Sequence, residues 1–249
     1  MTDSDINSDY RVEMIEELYN RYGRANSLKA PAARFRYWRK KYAWSFAVGA
    51  ANFIKRALDI GISIFLLITM TPLFLIVAIA IKLTDGGPIL FWQIRVGKWG
   101  KEFPFPKFRS MVINADSILE PLLNQSHHQN TRTFKLKNDP RITMIGRFIR
   151  RFSIDELPQL LNVLKGDMTL VGPRPPLPRE VVQYKLADRR RLDVTPGLTC
   201  IWQVSGRGDI PFEGQLQLDS DYIESRNLRL DIIILLRTIK AVLFGRGAY

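Results

Sequence analysis

The stretch Arg150-Arg151-Phe152-Ser153-Ile154-Asp155-Glu156-Leu157-Pro158-Gln159 places two adjacent carboxylates after two arginines and before a leucine-rich run. Two readings compete for it. In the structural one, Ser153 and Glu156 have the spacing of a capping box, with Glu156 bonding back to the Ser153 amide. Pro158 favours a later start, because a cap at Asp155 makes it the third helical residue, where no intrahelical donor is lost. Either choice puts both acids at a helix N-terminus, where the dipole and free amides favour anions, phosphate included. In the chemical reading, a carboxylate attacks phosphorus directly if it stays ionised and if its repulsion from a diphosphate is neutralised. Arginines and a divalent cation would provide that neutralisation. Magnesium takes one or two carboxylates plus substrate phosphate oxygens, a demand that Glu156 and a diphosphate meet without a protein cage.

Three further segments carry groups suited to phosphate. Val171-Gly172-Pro173-Arg174-Pro175-Pro176 fixes the backbone with three prolines and holds Arg174 in a stiff turn; the guanidinium is then either a rigid phosphate fork or a solvated group on an exposed polyproline turn. Thr195-Pro196-Gly197 and the glycines around Arg207 either cradle a phosphate or simply reverse the chain. Other chemistries are excluded. Cys200 is the single cysteine, and His127 and His128 are adjacent in a polar stretch, so neither a disulfide framework nor a Cys/His zinc site forms within one chain.

The elements that must position these groups begin with residues 60–81, an uncharged run of about 22 residues. Such a run is long enough for a bilayer and longer than most globular helices. Thr71 and Pro72 sit at its middle, where proline kinks or breaks a helix, and basic residues flank both ends, among them Lys41, Lys55, Arg56, Lys82, Lys98 and Lys107. Each half of about 11 residues rises only about 16 Å, half of the hydrocarbon thickness. A re-entrant hairpin broken at Thr71-Pro72 satisfies both constraints; a kinked span is the alternative. Residues 1–10 are polar and acidic, unlike a cleaved signal peptide.

Residues 1–53 form an extension with a polar helical piece around 11–24 and a basic, aromatic stretch that suits either the lipid headgroup layer or an ordinary helix surface. Residues 54–82 are the membrane hairpin. Residues 83–227 alternate short strands, at 89–92 and 103–108, with helices, and contain a polar loop or lid at 120–138. Residues 228–249 start as an amphipathic helix that packs on the core or the membrane. The fold class expected is therefore α+β: a small, helix-rich domain with a proline-broken re-entrant helix and amphipathic interfacial helices.

Taken together, these residues resemble the bacterial sugar transferase family, the monotopic phosphoglycosyl transferases. The likeness runs through Lys55-Arg56-Ala57-Leu58-Asp59, the broken helix, Lys107-Phe108-Arg109-Ser110-Met111 and Asp155 to Gln159. It continues through Leu164 to Met168, Val171 to Pro175, Pro196-Gly197-Leu198, Trp202-Gln203-Val204, Gly206-Arg207 and Leu218-Asp219. The resemblance implies a magnesium-dependent (alternatively manganese-dependent) enzyme at the cytoplasmic face of the inner membrane. Such an enzyme moves a sugar-1-phosphate from a UDP-sugar to polyprenyl phosphate at the start of exopolysaccharide or capsule synthesis. By position, Asp155 becomes the nucleophile and Glu156 its metal-binding partner. Arg150, Arg174 and Arg207 become phosphate contacts, with Lys107 and Arg109 secondary ones, and Asp219 supports the site. Larger relatives carry several membrane spans ahead of this domain, which are not read here.

A formal net charge of +13 fits anionic lipid and phosphorylated substrates. It fits nucleic acid too, but a nucleic-acid binder leaves the apolar run without a purpose. The partners expected are a UDP-sugar, polyprenyl phosphate and membrane lipids, with homo-oligomerisation left open. The competing function is a catalytically inactive, basic membrane-surface scaffold of the same fold.

Overall fold

The computed structural model describes residues 17, 31–115, 117 and 139–244. Most of the expected helical piece at 11–24, the polar loop at 120–138 with both histidines, and the last five residues lie outside the described residues. The chain divides into two units, Met1–Ile54 and Lys55–Tyr249. In the first, helix α1 (Pro31–Thr69) begins, and Phe35, Trp38, Tyr42, Phe46 and Phe53 are exposed along it at spacings that share one helical face. Trp38 stacks on Tyr42, and the Lys41 ammonium lies 5.0 Å from the Trp38 ring centroid.

In the second unit, α1 ends at Thr69 and α2 (Thr71–Asp85) follows after a bend of 58°. The break therefore falls at Met70, one residue before the expected Thr71-Pro72. Pro72 opens the second helix instead of interrupting one, since its missing donor is harmless in a first turn and its ring would meet the Ile68 carbonyl in a continuous helix. The hydroxyls of Thr69 and Thr71 donate to the carbonyls of Phe65 and Leu67, at 2.8 Å each. No single described helix is long and apolar enough to cross a membrane; the bent pair is, by length and composition.

One side of this pair packs on the domain. Ile62, Leu66 and Leu67 of α1 contact a core of Phe103, Phe105, Leu160, Val163, Met168, Leu170, Val171, Tyr222 and Ile234. Leu73 and Phe74 join Val77 and Ile81 in a second cluster with Phe108, Ile149 and Ile154. Ile64, Phe65, Ile68, Leu75, Ile76, Ile79 and Leu83 stay exposed. Three polar side chains within about one turn of α1 tie the helix down. Lys55 donates to the Val171 carbonyl and pairs with Asp231 at 2.6 Å. Arg56 takes the carbonyls of Val163 and Leu164 at the end of a later helix, and Asp59 accepts from Thr169 and the Leu170 amide.

Strands β1 (Leu90–Val96) and β2 (Glu102–Phe108) form an antiparallel hairpin, longer than the runs expected from hydropathy. Its register puts Gln93, Arg95, Phe103, Phe105 and Lys107 on one face, so core and charge share a surface. Helix α3 (Met144–Arg151) is capped by the Thr143 hydroxyl on the Gly146 amide. A 3-10 helix over Ile154–Gln159 then leads into α4 (Leu160–Lys165). Strand β3 (Thr169–Val171) precedes the proline-rich turn, and α5 (Pro178–Val181) follows it. Strand β4 (Gly197–Thr199) returns parallel to β3, a pairing that no sequence pattern indicated. The short α6 (Ile201–Ser205) is followed by α7 (Phe212–Ser225) and α8 (Leu228–Phe244). Helix α8 buries Asp231 and Ile234, whereas Ile232, Leu236, Ile239 and Leu243 are exposed, so its apolar residues serve the core on one side and lie bare on another.

Gly172 and Gly197 let β3 and β4 touch: a Cβ on Gly197 would lie 2.1 Å from the Gly172 nitrogen. Gly197→Ala is expected to lower stability by about 1–3 kcal/mol or more, through displaced backbone that no rotamer change relieves. Gly61→Ala, where a Cβ meets nothing within 4 Å, serves as the control. Thermal unfolding of both variants in the same detergent checks this, and equal midpoints would contradict it.

Candidate active site

Asp155 and Glu156 occupy the first turn of the 3-10 helix. Neither capping arrangement anticipated from the sequence is present. Ser153 adopts a left-handed conformation (φ 53) and caps nothing with its side chain; the Glu156 carboxylate, which a capping box would turn back to Ser153, is drawn away by two cations. Arg174 grips it with both ends of its guanidinium, Nη2 to Oε1 at 2.5 Å and Nη1 to Oε2 at 3.3 Å, while Lys107 Nζ reaches Oε1 at 3.2 Å. Three charge-assisted hydrogen bonds outweigh one to an amide.

Asp155 is treated differently. Its side chain is buried, and among the described residues no side chain hydrogen-bonds its carboxylate. Burial, and then the charge of Glu156, push its pKa up to about 6, against the pull of Lys107, Arg150 and Arg174. Burial also disfavours the Glu156 charge, but Arg174 and Lys107 outweigh it and hold that carboxyl far below its ordinary range. The two neighbours are thus separated in role by environment: one is neutralised and tied, the other is ionisable and untied.

A ring of basic groups surrounds the pair. Lys107 projects from β2 over the Phe105 ring, and its pKa is lowered by burial despite Glu156. Arg150, at the end of α3, donates from Nε to the Ser110 hydroxyl at 2.8 Å; burial lowers its pKa and Asp155 raises it. Arg207 is held at positive φ (51), a conformation costly outside glycine, with Nη1 buried and unpartnered among the described residues; burial lowers its pKa and the charge of Glu156 opposes that. Of the positions anticipated from the sequence, the structure therefore gathers Lys107, Arg150, Asp155, Glu156, Arg174 and Arg207. Arg109 goes elsewhere: its buried guanidinium is paired with Asp85 at the end of α2. Two residues apart at the end of β2, Lys107 and Arg109 have different partners, and Lys107 is the one that touches the acidic pair.

Asp219, expected as a supporting residue, is fully buried on α7 and forms an ion pair with Arg191 at 2.5 Å; burial pushes its carboxyl up to about 6 even so. Sequence reasoning missed Arg191 and Arg95. Arg95 lies over the Phe105 ring, donates to the Pro175 carbonyl at 3.0 Å, and has its pKa lowered to about 10 by burial and by Arg174. Its alternation with Gln93 in a strand was the available signal. Arg191 belongs to an Arg-Arg-Arg run in which nothing local marks the buried member.

The fold is α+β, and it sets an acidic pair within a cluster of buried cations, in a chain whose bent helix pair is long and apolar enough for a membrane by length and composition. The chain belongs to the bacterial sugar transferase family, whose profile matches residues 50–245. It is 47% identical over 209 residues to the undecaprenyl-phosphate galactose phosphotransferase of Salmonella typhimurium, covering 82% of this chain and 44% of that protein. It is 41% identical over 198 residues to the exopolysaccharide production protein ExoY of Sinorhizobium fredii, covering 78% and 88%. With the undecaprenyl-phosphate glucose phosphotransferase of Komagataeibacter xylinus it shares 42% over 209 residues, 78% of this chain and 37% of the relative. The chain thus spans less than half the length of two of these relatives and most of the third.

The split between the two acids sets opposite effects on stability. Asp155 has a folded pKa above its ordinary value, so the folded state binds the proton more tightly, and ionisation lowers stability progressively from about pH 4 to about pH 6. Asp155→Asn is expected to raise the thermal midpoint at pH 7.5, by up to about 3 kcal/mol of stability, with the gain fading toward pH 4. Glu156→Gln strands two buried cations and should lower the midpoint at the same pH. Melting curves of both variants between pH 4 and 8 check the signs; a destabilised Asp155→Asn protein at pH 7.5 contradicts the assignment.

Proposed function

We propose that this chain is a phosphoglycosyl transferase that moves a sugar-1-phosphate from a UDP-sugar to polyprenyl phosphate through an acyl phosphate on Asp155. The observation that carries this reading is the untied, ionisable Asp155 carboxylate beside a Glu156 already neutralised by Arg174 and Lys107. An Asp155 oxygen bonds to the sugar-bearing phosphorus, and the bond from that phosphorus to the bridging oxygen breaks, so UMP leaves with the oxygen. A phosphate oxygen of the lipid then attacks the same phosphorus, returning the carboxylate and leaving a sugar diphosphate lipid. Neither step needs a general base, because both nucleophiles are anions. Arg150, Arg174, Arg207 and Lys107 hold the diphosphate charge. Relatives named undecaprenyl-phosphate galactose and glucose phosphotransferases support the substrate classes, and relatives named exopolysaccharide production proteins support a role at the start of surface polysaccharide synthesis.

The residues present fit magnesium. Among the described residues no three His, Cys, Asp or Glu side chains cluster, so the chain offers no closed cage. Two adjacent carboxylates, of which Glu156 raises the pKa of Asp155, are the donor set magnesium takes when phosphate oxygens complete its shell. Glu156 and Asp155 would hold it, and manganese suits the same donors. When bound, the ion supplies neutralisation of the diphosphate.

The bent pair α1 and α2 is read as a re-entrant hairpin that enters and leaves at the cytoplasmic face of the inner membrane. The exposed apolar residues on both halves and the basic residues at both ends support this.

With UDP-sugar and magnesium but no lipid acceptor, the wild-type protein should gain one phosphosugar and release one UMP. Mass spectrometry should place the adduct on Asp155 and find none in Asp155→Asn; an adduct on Glu156 would reverse the roles. The rate of this half-reaction should fall as pH drops through about 6, roughly tenfold one unit below the Asp155 pKa. For the hairpin, cysteines replacing Lys41 and Lys98 should be protected together from an impermeant reagent in intact cells. Labelling of one site alone would establish a span.

A further inference from the structure

The turn that presents Arg174 cannot hold itself. In 171–176, Pro173, Pro175 and Pro176 carry no N–H, so the segment has few donors of its own and its carbonyls must be fixed from outside. They are. Val171 O accepts from Lys55 and from the Tyr222 hydroxyl at 2.9 Å, Pro173 O from the Gly197 amide at 2.8 Å, Pro175 O from Arg95, and Pro176 O from the Val96 amide at 2.9 Å. The carbonyl of Arg174 itself accepts from Arg191 Nη2 at 3.2 Å. Arg191 is buried, and its remaining contacts fix its plane: Nη1 donates to the Tyr184 hydroxyl at 2.7 Å and Nη2 pairs with the fully buried Asp219.

We propose that Arg191, braced by Asp219 and Tyr184, is a positioning residue that sets the Arg174 fork against Glu156 and against the diphosphate of the donor. The inference rests on the phosphoglycosyl transfer reading. Burying a charge pair is expensive and seldom the best route to stability alone. Here the pair places a planar donor on the main chain of the one residue whose side chain grips Glu156 with two bonds. Because a guanidinium fork needs correct placement, a shift of the Arg174 backbone by a fraction of an ångström changes which oxygens it reaches. Lysine at 191 keeps the charge but offers a single nitrogen, which cannot serve Tyr184, Asp219 and the Arg174 carbonyl in the same plane.

The test is a double-mutant cycle on the full chain in membranes, with Arg191→Lys, Arg174→Lys and the double variant, reading UMP release across UDP-sugar concentrations. Arg191→Lys should lower kcat by about 10- to 100-fold with a smaller rise in KM. In the Arg174→Lys background the same change should cost less than about twofold, since residues acting through one group are not additive. A merely structural role predicts the same fractional loss in both backgrounds, and that result, or an Arg191→Lys enzyme within twofold of wild type, overturns the proposal. Tyr184→Phe, which removes only one brace, repeats the cycle should Arg191→Lys fail to fold; its loss must likewise vanish in the Arg174→Lys background. UDP affinity of the same variants, measured by calorimetry, requires no turnover. Weaker binding in Arg191→Lys that disappears in the double variant sustains the positioning role even if the wild type forms no adduct; unchanged affinity in such an inert protein overturns it.

Discussion

The shared grip of Arg174 and Lys107 on Glu156 is the interaction around which the site is organised. It gathers a proline-rich turn, a hairpin strand and a 3-10 helix, from positions 174, 107 and 156. It also decides the chemistry available. Two adjacent carboxylates in a dry site cannot both ionise freely. Committing two cations to Glu156 favours its charged form and leaves Asp155, with a pKa pushed up to about 6, without a side-chain hydrogen-bond partner among the described residues.

The same economy appears in how the backbone is held. The 171–176 turn takes its rigidity from prolines and its placement from donors supplied by α1, β1, β4, α7 and a second 3-10 helix, Asp188–Asp193, that carries Arg191. Of these, α1 contributes twice over: Lys55 reaches the carbonyl that begins this turn, and Arg56 closes the end of α4, the helix that continues from Asp155 and Glu156. Helix α1 is therefore bonded to the turn that presents Arg174 and to the helix that follows the acidic pair.

Local chemistry carried much of what was legible. The uncharged run at 60–81 and its proline marked a broken helix because length and the missing proline donor act on neighbours alone. The displacement of the break to Met70 shows the limit of that reasoning: a proline discourages a helix before it yet starts one readily, and only the fitted backbone shows which effect governs. The hairpin was visible as two apolar runs, although the charged Arg95 hid the second half of its first strand. Ser153 misled for a related reason, since the capping-box spacing is a local preference that two buried cations override.

By itself the sequence determined the inventory: an acidic pair, rigid arginine and glycine turns, a basic surplus, a broken apolar helix and the absence of the ligands for zinc or disulfide chemistry. These follow from composition and from interactions within a few residues of one another. Tertiary structure alone decided the partners. Whether Arg109 or Lys107 would face the acids, whether Glu156 would cap a helix or receive a fork, and which of three consecutive arginines would be buried on Asp219 all depend on contacts across tens of residues. Electrostatic energies in a desolvated site vary steeply with distance and burial. Neither quantity is written in the spacing of residues along a chain.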